Sequence, residues 1–352
     1  MKQLREVEEV VLRVIEGRLP FEEGLAAVCR YQARTNDPLA AFWRRRGFDA
    51  SRVASAGEVP AVATEVFTQV RLVSSEAPVA RVFRTSGTTS GARGEHHRIS
   101  TRCYDEGAAR HFSASVRAAP MPRRWIKPLL HPDQAPDSSL SHMVADLEAR
   151  HGASGPWTLT PEGLDVAATW RSLRESEQSG EPALVFTTAF ALRLLLDEAP
   201  GSVSLPSGSI LIETGGFKGR ARVVSRETLY LEVTGRLGLP PGRIGSEYSM
   251  TELSSQLYSR RLADGDPTPR GDLLVPPAWL RVLAVDAATG AVLPSATAGL
   301  LRFVDLANVE TVVAVQTADL GIVTPDGVTL LGRAPGAVPR GCGLTVEELG
   351  LR

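Results

Sequence analysis

The chain has 352 residues, of which 43% are hydrophobic and 22% charged, and its formal net charge is −1 at pH 7. This composition is ordinary for a globular protein of one large or two unequal domains and excludes an intrinsically disordered chain. The near-zero charge argues against binding to nucleic acid or to an anionic membrane surface.

Two amphipathic helices are predicted at the amino terminus. Apolar residues recur at helical spacing through residues 4–15, and FEEGLAAVCRYQARTN, residues 21–36, continues the pattern. The proline-containing stretch VPAVATEVF, residues 59–67, then breaks it. We therefore predict that residues 1–80 form a mostly helical region packed on the core.

A loop rich in glycine, serine and threonine follows a short predicted strand. The strand is PVARVF, residues 78–83, and the loop lies in FRTSGTTSGARGEHH, residues 83–97. Ser100 is placed to cap a helix through residues 101–116. The loop is therefore predicted to join a strand to a helix.

The rest of the chain alternates between strand and helix patterns, after a predicted loop at residues 131–143. The strand candidates are residues 183–190 and 209–216, and the helix candidates are residues 189–199 and 225–238. This alternation predicts an α/β core. From Trp279 onward, alternating apolar runs separated by Gly, Asp and Asn predict a β-rich carboxyl-terminal part.

The glycine-rich loop is open to two interpretations, a phosphate-binding loop or a flexible connector. It is not a Walker A sequence, because Gly87 is followed five residues later by Ala92. A strand, a Gly/Ser/Thr turn and a helix nevertheless bring N–H groups and hydroxyls together around an anion. Three further motifs follow in order: TGGFKG at 214–219, EYSMTEL at 247–253 and QTADLG at 316–321. Each alone favours a structural role, whereas together they favour a nucleotide site.

Together these motifs resemble the adenylate-forming enzymes, the superfamily of acyl-CoA synthetases, luciferases and nonribosomal adenylation domains. The resemblance covers roughly residues 60–352, and the terminal PRGCGLTVEEL resembles the acyl-protein synthetase branch known from the fatty-acid reductase complex of luminous bacteria. It implies an α/β main domain with a helical amino-terminal layer and a β-rich carboxyl-terminal part. Together with the helical region predicted at 1–80, the expected domains are an adenylating core at 81–332 and a hinge-like tail at 333–352 that carries Cys342.

The resemblance also implies a role for each motif residue. The ATP phosphates would be held by Thr85, Ser86, Gly87, Thr88 and Thr89. Where relatives often carry a lysine this chain has Arg93, and the contact to the outer phosphates falls either to Arg93 or to no residue. The remaining ATP contacts would be Gly215 and Gly216 along the adenine, Tyr248 stacked on it, Thr251 on the α-phosphate, Asp319 on the ribose and Arg333 at the hinge. Glu252 would hold Mg²⁺. The structural alternatives are a core aromatic for Tyr248, a helix cap for Glu252 and a turn residue for Asp319.

One departure from the resembled superfamily concerns the catalytic cation. Its members usually continue into a mobile carboxyl-terminal domain with a catalytic lysine, and we expect none in this chain because the sequence ends nineteen residues after Arg333. Of the three lysines, Lys218 is the best candidate to replace that cation, with Arg220 as a weaker one. In the resembled branch the acyl acceptor is the enzyme's own cysteine, and Cys342 stands ten residues from the end.

These expectations combine into a predicted cytoplasmic ligase that uses ATP and Mg²⁺ and has neither a signal peptide nor a membrane span. It would activate a carboxylic acid, expected to be a fatty acid, as acyl-AMP. It would then transfer the acyl group to Cys342 as a thioester and feed a partner acyl reductase. Cys29 and Cys103 are predicted core residues. The alternatives are an acid ligase that loads a carrier protein or CoA, and an inactive nucleotide-binding scaffold subunit.

Overall fold

The computed structural model describes residues 1–85, 93–117, 120–215 and 225–334. The chain divides into two units, each assembled from separate stretches. The first consists of Met1–Arg110, Met250–Gln256 and Pro276–Arg352, and the second of His111–Ser249 and Leu257–Val275. The domain boundaries predicted at residues 80 and 332 stay predictions.

Helices and strands alternate along much of the described chain. The helices are α1 Lys2–Ile15, α2 Phe21–Thr35, α3 Asp37–Arg45, α4 Arg102–Ser115, α5 Ser139–Arg150, α6 Val166–Ser179, α7 Ala189–Asp197, α8 Arg226–Leu237 and α9 Arg261–Asp264. The strands are β1 Val62–Ala63, β2 Arg81–Arg84, β3 Glu95–Arg98, β4 Arg124–Leu130, β5 Trp157–Thr160, β6 Gly163–Leu164, β7 Ala183–Thr188, β8 Ile210–Thr214, β9 Ile244–Tyr248, β10 Leu257–Ser259, β11 Leu274–Val275, β12 Leu280–Val285, β13 Ala298–Asp305, β14 Ala314–Thr324 and β15 Gly327–Arg333.

The second unit contains a mixed sheet in the order β11-β10-β9-β8-β7-β4-β5-β6. Strands β5, β4, β7, β8 and β9 are parallel neighbours, and the outer strands pair antiparallel. Thr188 lies opposite Thr214, and Thr214 lies opposite Glu247, so the carboxyl ends of β7, β8 and β9 are side by side. Ligands of α/β sheets bind at this edge.

An apolar cluster joins helices α6, α7 and α8 to this sheet. Strand β8 is buried along its whole length, as expected for a parallel strand with helices on its faces. The cluster includes Leu173, Leu192 and Val233 from the helices and Val185, Leu211 and Ile244 from the strands. Each such side chain contributes about 1.5–3 kcal/mol on burial. The strands and helices predicted between residues 183 and 238 are confirmed.

The first unit is built on antiparallel strands β12, β13, β14 and β15. Strand β1 pairs in parallel with β14, with Val62 opposite Val315. Strands β2 and β3 form a separate hairpin in which Arg84 lies opposite Glu95. The predicted β-rich carboxyl-terminal part is therefore confirmed. No helix in the described parts of the chain is long and apolar enough to span a membrane.

Three predicted elements differ from the structure. The helical region reaches only Arg45, and the described residues from there to residue 80 hold two short 3₁₀ turns and β1. The predicted loop at 131–143 contains the start of α5, where the Ser138 hydroxyl accepts a hydrogen bond from the amide of Ser141 at 3.1 Å. Ser138 therefore caps α5, because its hydroxyl satisfies a backbone N–H of the first turn that has no partner within the helix. The helix begins directly after the run of Pro, Asp and Ser that favours a turn.

The prediction that the glycine-rich loop joins a strand to a helix is also wrong. It lies between β2 and β3, the two strands of a hairpin, and not between a strand and a helix. The letters EHHR of β3 suggest an exposed segment, but the side chains of His96 and Arg98 are buried. Because these polar groups have hydrogen-bonding partners inside the first unit, their burial is tolerated.

Candidate active site

The two ends of the glycine-rich loop are tied together by Thr85 and Gly94. The Thr85 amide donates to the Gly94 carbonyl at 3.0 Å, and the Gly94 amide donates to the Thr85 hydroxyl at 2.9 Å. The guanidinium of Arg93 donates to the Thr85 carbonyl at 2.6 Å. The predicted phosphate residues Ser86, Gly87, Thr88 and Thr89 lie outside the described residues.

Gly94 brings this hairpin next to Glu252. A Cβ atom at position 94 would lie 3.1 Å from Cγ2 of Thr85 and 3.5 Å from Oε1 of Glu252. The backbone at Gly94, just before β3, therefore lies beside the Glu252 carboxylate, whereas the tighter contact of a side chain at this position would be with Thr85. Two motifs that are far apart in the sequence thus meet within one unit.

Glu252 is a buried carboxylate whose pKa is raised. Only 7% of the residue is exposed, and burial raises the pKa of its carboxyl to about 7. The charges of Glu65 and Asp319 raise this pKa further, whereas Arg333 lowers it. The interpretation of Glu252 as a helix cap is wrong, because it lies in a turn before β10.

The surroundings of Glu252 fit a divalent cation. Its described neighbours include the acidic residues Glu65 and Asp319, and a bound cation favours the ionised carboxylate that burial disfavours. Mg²⁺ is commonly held by one or two protein carboxylates together with substrate phosphates. Within the described ranges no three His, Cys, Asp or Glu side chains form a metal-binding group, so phosphate oxygens would have to complete such a site.

Asp319 and Arg333 face each other across β14 and β15. They are partners in the strand register, and Nε of Arg333 lies 3.3 Å from Oδ1 of Asp319. The side chain of Arg333 is 73% exposed, whereas that of Asp319 is 17% exposed. The interpretation of Asp319 as a turn residue is wrong, since it lies within β14. Both side chains act electrostatically on Glu252, so three predicted site residues interact within the first unit, which also contains Thr85 and Thr251.

Asp305, the last residue of β13, and Asn308, in the connection to β14, hold the turn that carries Thr251 and Glu252. Asp305 accepts hydrogen bonds from the amide of Ser254 at 2.9 Å and from the hydroxyl of Ser255 at 2.8 Å. Asn308 donates to the carbonyl of Glu252 at 2.9 Å. Sequence reasoning missed both residues. The available signal was DLANVET, residues 305–311, in which polar residues interrupt the apolar pattern between two strand segments.

The second unit carries other predicted residues at the carboxyl ends of β8 and β9. Gly215 directly follows β8 with a φ of +76°, a left-handed conformation that favours glycine. Tyr248 is the last residue of β9 and is partly exposed, so it is not a core aromatic. Gly216, Lys218 and Arg220 lie outside the described residues.

Glu247 is a second buried carboxylate at this edge of the sheet. It accepts a hydrogen bond from the Thr214 hydroxyl, and 2% of the residue is exposed. Burial raises the pKa of the Glu247 carboxyl to about 7, and the charge of Glu213 also raises it. The folded state therefore favours the protonated form. The resulting stability is complete below the ordinary pKa of 4.5 and is lost as the pH rises to about 7.

The change that Glu247→Gln makes to the free energy of unfolding is expected to be more favourable at pH 8 than at pH 5. The amide carries no charge to bury and still accepts from Thr214, so the relative gain is up to about 3 kcal/mol at about 1.36 kcal/mol per pKa unit. Thermal unfolding of both proteins at the two pH values measures it. The exposed Glu227→Gln is the matched control. An equal effect of Glu247→Gln at both pH values would contradict the raised pKa.

Cys29, Cys103 and Lys127 are buried in surroundings typical of structural residues. Burial raises the pKa of the Cys29 thiol to about 12 and that of Cys103 well above its ordinary value. The prediction that both are core residues is confirmed. The ammonium group of Lys127 is buried against Glu148 and donates to the Gly155 carbonyl at 2.9 Å. Cys342, the predicted acceptor, lies outside the described residues.

Comparisons with known proteins identify the fold. No protein-family model and no curated protein sequence matches the chain. Among solved structures, 2-hydroxyisobutyryl-CoA ligase in complex with 2-HIB-AMP matches with a TM-score of 0.61 and 16% identity, over 90% of this chain and 69% of that one. ATP-bound MatB from Rhodopseudomonas palustris matches with a TM-score of 0.54 and 16% identity, over 72% of this chain.

A third similar structure is the luciferase-like enzyme from the mealworm Zophobas morio, with a TM-score of 0.53 and 15% identity over 74% of this chain and 59% of that one. The chain spans about half the length of the MatB structure, 48% of it. Identities this low identify a shared fold and not a shared activity. The chain therefore has the α/β fold of the main domain of adenylate-forming enzymes.

Proposed function

We propose that the protein activates a carboxylic acid with ATP and produces acyl-AMP and pyrophosphate. The observation that carries the proposal is the meeting of Thr85, Gly94 and Glu252 in one unit, at the mouth of a Gly/Ser/Thr loop. The fold supports it, because the similar structures include one bound to ATP and one bound to 2-HIB-AMP.

In this reaction a carboxylate oxygen of the acid attacks the α-phosphorus of ATP. The bond between that phosphorus and the bridging oxygen breaks, and pyrophosphate leaves with the electron pair. The loop at 85–89 would donate hydrogen bonds to the phosphates, and Thr251 would donate to the α-phosphate. Glu252 would hold Mg²⁺, which offsets phosphate charge when bound. Gly215 and Tyr248 would contact the adenine, Asp319 the ribose, and Arg333 would lie at the hinge.

The proposed acceptor of the acyl group is Cys342. Its thiolate would attack the acyl carbon, AMP would leave, and a thioester would remain for transfer to a partner acyl reductase. The burial of Cys29 and Cys103 supports this assignment, because a deeply buried thiol with a raised pKa is a poor nucleophile. Lys218 is the proposed cation that assists the departure of pyrophosphate.

A second candidate is a ligase that transfers the acyl group to a soluble thiol such as CoA or a carrier protein. It is favoured by the similarity to a 2-hydroxyisobutyryl-CoA ligase, which has also been solved with CoA. Mass spectrometry of the protein after incubation with acid and ATP separates the two candidates. Self-acylation adds the acyl mass to the chain, whereas a soluble acceptor leaves it unmodified.

Acid-dependent exchange between ATP and radiolabelled pyrophosphate tests adenylation itself. A panel of fatty and aryl acids should contain at least one that drives exchange, and the preferred chain length identifies the substrate class. If the folded protein binds ATP but no acid in the panel drives exchange, the protein is a nucleotide-binding scaffold subunit and the proposal is wrong.

Replacing Thr88 and Thr89 together with alanine is expected to weaken the use of ATP sharply. Each hydrogen bond to a charged phosphate contributes about 1.5–3 kcal/mol, which corresponds to about a tenfold to hundredfold change per donor. The KM for ATP and the exchange rate measure the effect. Thr88→Ser with Thr89→Ser keeps both hydroxyls and serves as the control. Unchanged exchange in the alanine variant would make this loop a connector.

A further inference from the structure

The side chain of His96 connects β3 to the turn that carries the proposed ATP and metal contacts. Its Nδ1 lies 2.6 Å from the carbonyl oxygen of Thr251, and its Nε2 lies 2.7 Å from the hydroxyl of Thr311. The residue is fully buried within the first unit. In the sequence His96 is only one of two adjacent histidines without a metal-binding spacing.

The partners of the ring determine its tautomer. A carbonyl oxygen only accepts hydrogen bonds, so Nδ1 must carry the proton that is donated to Thr251. The Thr311 hydroxyl can donate, and it therefore supplies the hydrogen bond to Nε2. Burial, together with the charge of Arg98, lowers the pKa of His96 well below its ordinary value, which keeps the ring neutral. Each ring nitrogen thus has one partner of the required kind.

Two successive carbonyl groups of the turn are held by buried side chains. The carbonyl of Thr251 accepts from His96, and that of Glu252 accepts from Asn308. The peptide units on both sides of Glu252 are therefore fixed, and the direction of its side chain is fixed with them. Gly94, two residues before His96, packs against the same carboxylate.

We infer that His96 is a positioning residue, whose Nδ1–H sets the orientation of Thr251 and Glu252 for acyl-adenylate formation. The inference rests on the proposed function. His96 itself contacts neither ATP nor the acid, and it acts through the Thr251 carbonyl. Errors of about 1 Å in the placement of reacting groups cost up to about a hundredfold in rate. Loss of this hydrogen bond is therefore expected to lower kcat more than it raises the KM for ATP.

Two substitutions separate the roles of the two ring nitrogens. In His96→Asn the side-chain amide can occupy the position of Nδ1 and donate to Thr251. In His96→Gln the amide reaches the position of Nε2, keeps Thr311 as a partner and leaves the Thr251 carbonyl without a donor. His97→Gln, at the adjacent position of β3, is the matched control.

Hydrogen exchange of the peptide 250–256 and pyrophosphate exchange are measured on all four proteins. The amides of Leu253 and Ser254 are bonded to Met250 and Asp305, so this peptide reports on the order of the turn. His96→Gln should exchange about tenfold faster in this peptide and lose at least about tenfold in kcat, as expected for an unsatisfied buried carbonyl. His96→Asn and His97→Gln should stay within about threefold of the wild type in both measurements.

Equal losses in His96→Asn and His96→Gln, or normal protection of the turn in His96→Gln, would overturn the inference. Failure of the proposed function has a different signature, because the wild type would then show no acid-dependent exchange. In that case the protection of peptide 250–256 alone decides the role of His96. Protection in His96→Asn but not in His96→Gln supports the inference, and any other pattern rejects it.

Discussion

Glu252→Gln is expected to abolish Mg²⁺-dependent adenylation while the fold is retained. A neutral amide is a much poorer ligand for a hard divalent ion than a carboxylate. The loss is expected to exceed about 3 kcal/mol of transition-state stabilisation, a factor of more than about a hundred in rate. Acid-dependent pyrophosphate exchange at several Mg²⁺ concentrations measures it. In the wild type the activity should rise with pH through about 7, because metal binding requires the ionised carboxylate.

Stability separates this catalytic role from a structural one. The raised pKa of Glu252 means that its stabilising effect is complete below pH 4.5 and is lost as the pH rises to about 7. At pH 8 the glutamine variant should therefore melt no lower than the wild type in the absence of ligand. The exposed Glu23→Gln is the control. A variant that melts at a much lower temperature, yet has normal activity per folded molecule, would make Glu252 a structural residue.

Cys342→Ala should abolish covalent acylation of the protein and preserve pyrophosphate exchange. The two half-reactions use different groups, and the other two cysteines of the chain are buried in the first unit. Radiolabelled acid with ATP should label the wild type, and neutral hydroxylamine should release the label as it does from a thioester. Cys342→Ser should be labelled far more slowly, because a hydroxyl is a weak nucleophile without a general base.

Cys103→Ala, provided that it folds, is the matched control and should be labelled like the wild type. Hydroxylamine-sensitive label that persists in Cys342→Ala would move the acceptor to Cys29 or Cys103, against the burial of their thiols. An unlabelled wild type with active exchange would instead favour the soluble acceptor.

The sequence predicted those parts of the fold in which the hydrophobic pattern of a segment agrees with its burial. The apolar run Ala183–Phe186 of β7 and the whole of β8 are buried, and helix α8 lies within the predicted range 225–238, with Ser225 and Gly238 as its caps. The hairpin strand β3 was missed, because its buried polar side chains give it the pattern of an exposed segment. Polar residues that are satisfied inside a core carry no periodic signal.

The motif residues of the candidate site could be predicted from the sequence, but the residues that hold them in place could not. Asp319 and Glu252 stand in recognisable motifs, whereas Asp305, Asn308 and His96 belong to none. Their importance depends on hydrogen bonds to backbone groups of a distant turn, and a single sequence holds no information on such long-range pairing. The close approach of Gly94 to Glu252 was hidden for the same reason.

The hydrogen bonds of this turn also determine when the proposed site can form during synthesis of the chain. Thr251 is bonded to a residue 155 positions earlier, and Glu252 to one 56 positions later. Contacts between distant positions form slowly, because the intervening chain must first be closed into a loop. The ribosome releases the amino-terminal residues first, so the β2–β3 hairpin can pair long before Asn308 emerges. A nascent chain that stops before Asn308 lacks the donor to the Glu252 carbonyl, so the hydrogen bonds around the proposed site are completed late.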